Sequence, residues 1–74
     1  MIYGKKSEAD WAVEILVKKR SAIFYLDLID EIAEKMGRPK DTQTRTSIFT
    51  RLNLDNRLTY QKDGYWYYDT NRMS

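Results

Sequence analysis

Three groups of side chains in this sequence have the types and spacing to do chemistry. The first is acidic: Asp27, Asp30, Glu31 and Glu34. Clustered carboxylates can hold a cation or share a proton. Here they fall between the positions of an apolar helical stripe, and acids placed that way are normally a solvated face. The second group is basic and small-polar: Arg38, Lys40, Gln43, Ser47, Thr50 and Arg51. Side chains of these types can approach phosphates and base edges. The third group is Arg57, Lys62, Tyr65 and Tyr67. Tyrosines beside cations are the anchors from which protein–protein contacts are built.

Other chemistries are missing. The sequence has no histidine and no cysteine. The commonest general base, the thiol nucleophile and most zinc sites are therefore absent, and no disulfide framework is available. Three scattered glycines make no phosphate-cradling loop. Nothing pairs a nucleophile with a base at a meaningful spacing. The expectation is a binding module: not an enzyme, with no metal and no cofactor. No apolar run approaches the roughly 20 residues of a membrane span, and no apolar stretch follows Lys5 and Lys6 to make a secretion signal.

Net charge is only +2, but it is unevenly distributed. Residues 1–20 carry five basic and three acidic groups, 21–36 one and four, 37–62 six and two, and 63–74 one and two. The basic block from 37 to 62 suggests an anionic partner on that side, or simply a solvated face.

The elements that must position these groups are readable from periodicity. Ser7 can cap a first helix, with Glu8 and Asp10 at its positive end and Lys18, Lys19 and Arg20 in its last turn. Trp11, Ala12, Ile15 and Leu16 form its stripe, and Val13 and Val17 widen the arc towards a second neighbour. Trp11 is expected in the core. Ser21–Phe24 reads as a short strand. Tyr25–Met36 reads as a second helix on Leu28, Ile29, Ile32, Ala33 and Met36, closed by a left-handed Gly37 and by Pro39. A third helix begins at Asp41 or Thr42. Ile48, Phe49 and Leu52 point inward; Gln43, Thr46, Ser47 and Thr50 point outward, with Arg51 on the flank. Arg45 falls on the apolar side, so it must leave past the helix start or find a partner. Leu54–Arg57 is a corner in which Asn56 can adopt a left-handed backbone.

The period then changes to two. A two-residue turn at Asp63-Gly64 would set Gln61 against Trp66. A type I turn over Lys62-Asp63 with left-handed Gly64 pairs Tyr60 with Trp66 and Leu58 with Tyr68. One residue of slip exchanges the faces, so burial selects the second register. Leu58, Tyr60, Trp66 and Tyr68 are expected inside; Thr59, Gln61, Tyr65 and Tyr67 face water or a partner. The expected class is α+β: a winged helix-turn-helix of three helices with a small antiparallel sheet, made of the short strand and a C-terminal hairpin wing. It spans 7–69 as one domain, with flexible ends at 1–6 and 70–74.

Several stretches resemble one family. They are Ala12-Val13-Glu14-Ile15-Leu16, Leu28-Ile29-Asp30-Glu31-Ile32-Ala33 followed by Met36-Gly37, Phe49-Thr50-Arg51-Leu52-Asn53-Leu54-Asp55-Asn56-Arg57-Leu58, and Tyr65-Trp66. Together they resemble the N-terminal domain of the delta subunit of bacterial RNA polymerase, of the HARE helix-turn-helix group. The resemblance implies docking on core RNA polymerase, weakening of non-productive nucleic-acid contacts and help with recycling. It also implies a bacterial cytoplasmic or nucleoid location, with a phage-encoded relative as one source. Three departures stand out. Delta subunits continue into a long acidic tail, whereas the present sequence stops at Ser74, as either an excised domain or a tailless relative would. They tend to be acidic where this chain is slightly basic. Asn56 replaces a favoured glycine, and Arg45 a favoured apolar residue.

Two functions follow as expectations. The first is docking on polymerase through Arg57, Lys62, Tyr65 and Tyr67, as a monomer. The alternative is a transcription regulator binding double-stranded DNA, with Gln43, Ser47, Thr50 and Arg51 facing the duplex and Arg38 and Lys40 on phosphates. A purely structural or inhibitory protein-binding module is the remaining possibility, and no membrane role is expected.

Overall fold

The computed structural model describes residues 6–68. The flexible ends expected at 1–6 and 70–74, apart from Lys6, lie outside the described residues, as does residue 69. The elements run α1 (Glu8–Lys19), β1 (Ile23–Phe24), α2 (Tyr25–Lys35), α3 (Thr42–Asn53), β2 (Leu58–Tyr60) and β3 (Tyr65–Tyr68). The sheet is antiparallel in the order β1-β3-β2. The arrangement is α+β and winged-helix-like, as the periodicity requires.

Each helix start is chemically specified. Ser7 and Asp10 form a reciprocal capping box: the Asp10 amide donates to Ser7 Oγ (3.1 Å) and the Ser7 amide to Asp10 Oδ2 (3.2 Å). Asp41 caps α3, accepting the Thr44 amide at 2.8 Å. That amide holds the Asp41 carboxyl below the usual range. The end of α2 is a complete Schellman motif around left-handed Gly37. There Arg38 N–H donates to the Ala33 carbonyl and Gly37 N–H to that of Glu34. The end of α1 uses the same left-handed geometry without a glycine. Arg20 sits there at φ 57°, its N–H bonded to the Leu16 carbonyl at 2.8 Å. For a residue with a Cβ that conformation costs about 1–2 kcal/mol.

The core is the meeting of three helical stripes with the inner face of the sheet. Ala12, Ile15, Leu16, Leu28, Ile29, Ile32, Ala33, Ile48 and Leu52 are buried, together with Ile23, Leu58 and Trp66 from the strands. Trp66 is only 1% exposed and packs against Phe49 and Tyr60, at ring-centroid separations of 5.6 and 5.0 Å. Its Nε1 is buried without an acceptor among the described residues. That desolvation costs about 1–3 kcal/mol, which the aromatic contacts and buried area offset.

The hairpin has the register that burial selects: Leu58 opposite Tyr68 and Tyr60 opposite Trp66. The turn is the three-residue form. Gly64 N–H donates to the Gln61 carbonyl (3.0 Å), Gln61 N–H donates to the Tyr65 carbonyl (2.9 Å), and Gly64 has φ +90°. Gly64 is buried, and its carbonyl accepts the Tyr25 amide at 2.8 Å, which ties the turn to the start of α2.

Five expectations are corrected. Tyr60 is on the inner face but remains 39% exposed. It ends β2 next to the turn, where its ring covers Phe49 and Trp66 with one side in water. Tyr68 is half-buried for a similar reason at the other end. Trp11 is half-buried against the core, with the Lys6 ammonium 4.6 Å from its ring centre. Val17 does not extend the packed arc; it is 50% exposed. The corner does not use a left-handed Asn56, since Arg20 is the one non-glycine residue with positive φ among those described. Instead Asp55 Oδ1 accepts the Arg57 amide (2.9 Å) and the Asp55 carbonyl accepts the Leu58 amide (3.2 Å). A side-chain turn does the work expected of a special backbone angle.

Candidate docking face and helix 3 surface

Alternation along β3 turns Tyr65 and Tyr67 to the sheet face opposite Trp66. Both rings are exposed. Tyr65 pairs across the sheet with Phe24, whose ring lies 5.6 Å away, and its amide is held by Asp63 Oδ1 at 3.0 Å. Lys62 stands in the exposed turn beside this face. Lys62, Tyr65 and Tyr67 are thus brought together. Phe24 joins them, a residue that its strand register reveals and its position in the sequence does not.

Arg57 sits at the other end of β2 from Lys62, and its charge is already engaged. Its guanidinium holds both Asp55 oxygens, Oδ1 from Nε (2.9 Å) and Oδ2 from Nη2 (2.8 Å), and Nη2 also reaches Asp10 Oδ1 (2.9 Å). The guanidinium keeps both carboxyls below their usual range, and they in turn raise the arginine further above its own. One arginine therefore joins the corner before the wing to the first turn of α1. Arg38 does the same from the α2–α3 link, meeting Glu8 at 2.9 Å. Both ties end on acids in the first turn of α1, where the helix dipole favours negative charge.

Arg45 finds the partner its position demands. It makes a two-pronged contact to Asp30, at 2.9 and 3.2 Å, and that contact raises its own affinity for the proton. Asp30 is thereby removed from the acidic cluster. The rest of that cluster shares a shallow hollow with Lys35 and Lys40, and Lys40 lies 3.9 Å from Glu34. No group of three or more carboxylates among the described residues is arranged to hold a metal ion. No helix among them is long and apolar enough to cross a membrane.

On α3, Gln43, Thr46, Thr50 and Arg51 are exposed and Ser47 is half-buried. The helix carries no acid in its first turn, and Arg51 is the cation of its last. Towards α2, Thr46 and Thr50 border a groove with Tyr25, Leu26, Phe49 and the stem of Arg45. Of the six cations between residues 37 and 62, Arg38, Lys40, Arg45 and Arg57 have carboxylate partners. Among the described residues, Arg51 and Lys62 have none within ion-pair distance. Compared with known proteins, the chain matches no family model, no curated protein and no solved structure.

Proposed function

We propose that this chain is a transcription-associated docking module that binds core RNA polymerase through the outer face of its sheet, with Tyr65 and Tyr67 as anchors and Lys62 at the rim. One observation supports docking over groove binding: the basic block is largely neutralised from within. Non-specific DNA affinity scales with the phosphates a protein neutralises, and two unpaired cations in that block supply little. Two exposed tyrosines on one sheet face, backed by Phe24, are instead suited to a protein partner. Arg57, bound to Asp10 and Asp55, has a scaffolding part in this reading. The choice of polymerase comes from the resemblance of residues 7–69 to the delta-subunit domain, and with it the expected effects on nucleic-acid contacts and recycling.

The second reading is a DNA-binding winged helix presenting α3. It is favoured by the exposed, acid-free row of Gln43, Thr46, Thr50 and Arg51. One experiment separates the two. The labelled chain is titrated with core polymerase, and separately with random duplex DNA, across a range of salt. Salt-tolerant capture by polymerase, weakened at least tenfold when Tyr65 and Tyr67 are both changed to Ala, is the expected result. Duplex binding with a steep salt dependence and no polymerase capture would refute the docking reading in favour of the second.

A further inference from the structure

Beside the last turn of α1, the link to β1 and the end of β3 leave an open cleft of about 420 Å³. Leu16, Val17, Ala22, Tyr67 and Tyr68 line it, and Arg20 stands on its rim. The cleft adjoins the face carrying Tyr65 and Tyr67, because Tyr67 belongs to both. Its apolar walls are open to water: Val17 and Tyr67 are 50% and 39% exposed. No acid lines it. Arg20 has no carboxylate partner among the described residues. Lys18 and Lys19 in the same turn line a separate hollow with Glu14 and Glu31, which leaves Arg20 as the cation of the cleft.

Arg20 also holds a left-handed backbone, where glycine would fit without strain. Gly37 fills the equivalent place after α2. An arginine kept at such a position invites a role for its side chain. A guanidinium beside an apolar cleft pairs with a planar carboxylate through two parallel hydrogen bonds. A cleft of this volume accommodates one or two large side chains. We infer that the cleft receives a short acidic segment of a partner protein, with one apolar side chain between Val17 and Tyr67 and a neighbouring carboxylate on Arg20.

The inference rests on the docking reading for its partner class, a protein, and not for which protein. A single-stranded nucleic acid fits less well. It needs a track of several cations along the backbone beside its flat rings, whereas among the described residues one cation lines this cleft, and Leu16, Val17 and Ala22 share its wall with the two tyrosines. A second copy of this chain would offer the acids of α2, which share their surface with Lys35 and Lys40.

The test uses the full chain and a fluorescein-labelled peptide of alternating aspartate pairs around a Leu-Phe step. Three further probes are the same peptide with Asn for Asp, the same peptide with Ser for Leu-Phe, and an oligothymidine. The expected result is binding of the acidic peptide alone, reduced at least tenfold by Arg20→Gly and by Val17→Ser. Arg20→Gly relieves the backbone, so its melting temperature should not fall; loss of binding without loss of stability identifies the side chain as the contact. The inference is overturned if the peptide shows no binding below about 1 mM, if the Asn peptide or oligothymidine binds as well, or if Arg20→Gly changes nothing. It is also overturned if the free chain sediments as a dimer that Val17→Ser dissolves. Absence of peptide binding while core polymerase is still captured overturns the cleft and leaves docking standing. Peptide binding without polymerase capture does the reverse.

Discussion

Replacing Gly64 by Ala tests how the wing is held to the helices. Two separate penalties meet at this residue. Its φ is +90°, and an added Cβ would stand 3.0 Å from Phe24 Cε1 and 3.5 Å from Cδ1. Gly37 is a built-in control, with φ +68° and nothing within 4 Å of its Cβ position. Forcing a left-handed backbone on alanine costs about 1–2 kcal/mol. Stiffening of the unfolded chain returns about 0.4–1 kcal/mol of this. Gly37→Ala should therefore cost about 1 kcal/mol. Gly64→Ala adds displacement of the Phe24 ring, which touches both Tyr25 and Tyr65. An overpacked contact of this kind adds about 1 kcal/mol or more, for a total of about 2 kcal/mol. In a domain this small, each kcal/mol lowers the melting temperature by about 4–8 °C. Thermal unfolding followed by circular dichroism should place Gly64→Ala well below Gly37→Ala. A Phe24→Leu background isolates the ring: there the extra loss should shrink by about 1 kcal/mol as a coupling energy. Equal losses for the two glycines, together with zero coupling to Phe24, would refute the packing argument.

Three further outcomes are expected. Arg57→Ala should remove two carboxylate partners and cost about 1 kcal/mol, a value discounted for the partial exposure of all three groups. Because Arg57 depresses Asp10 and Asp55 in the folded state, its contribution is complete above their unfolded pKa, about 4. It fades as pH falls through the lower folded values, so the variant's acid-unfolding curve should be flatter below about pH 4. An unchanged curve would show that the clamp contributes nothing. Ser7→Ala should cost about 1 kcal/mol through the lost cap. Its effect should be non-additive with Arg57→Ala, since Asp10 donates its amide to Ser7 Oγ and accepts Arg57 on its carboxylate; strict additivity by urea titration would sink that coupling. Finally, if duplex DNA binds at all, two unpaired cations set a logarithmic salt slope of about −1.8, and Arg51→Ala should reduce it by about 0.9. A slope several units steeper would mean that the paired arginines release their carboxylates to meet phosphate.

What could be read from the sequence was local. The stripe Leu28, Ile29, Ile32, Ala33 depends on spacing within one helix, and left-handed Gly37 on the chemistry of one residue. The hairpin register followed from a single physical preference, the burial of Trp66 over Gln61. What escaped depends on contacts between distant parts of the chain. Tyr60 has an inward periodicity but lies at the end of the sheet, where helical cover runs out. Arg20 gives no sign in its residue type that its backbone turns left-handed. Val17 continues the α1 stripe by spacing, yet among the described residues no element is packed over it.

The same distinction decides what the chain offers a partner. Charge counted along the sequence gives +4 between residues 37 and 62, which reads as a surface for phosphates. The acids that cancel it lie elsewhere: Glu8 is 30 residues from Arg38, Asp10 is 47 from Arg57, and Asp30 is 15 from Arg45. Those pairs hold two connecting segments to α1 and the start of α3 to α2, so the positive block is largely part of the scaffold. Arg20, counted in a block of only modest charge, has no carboxylate partner among the described residues, and it stands beside exposed Val17 and Tyr67. Folding thus ties up most of the basic block and leaves one guanidinium, Arg20, beside the apolar cleft at the sheet. A partner that recognises this chain by both charge and apolar contact should be sought there first.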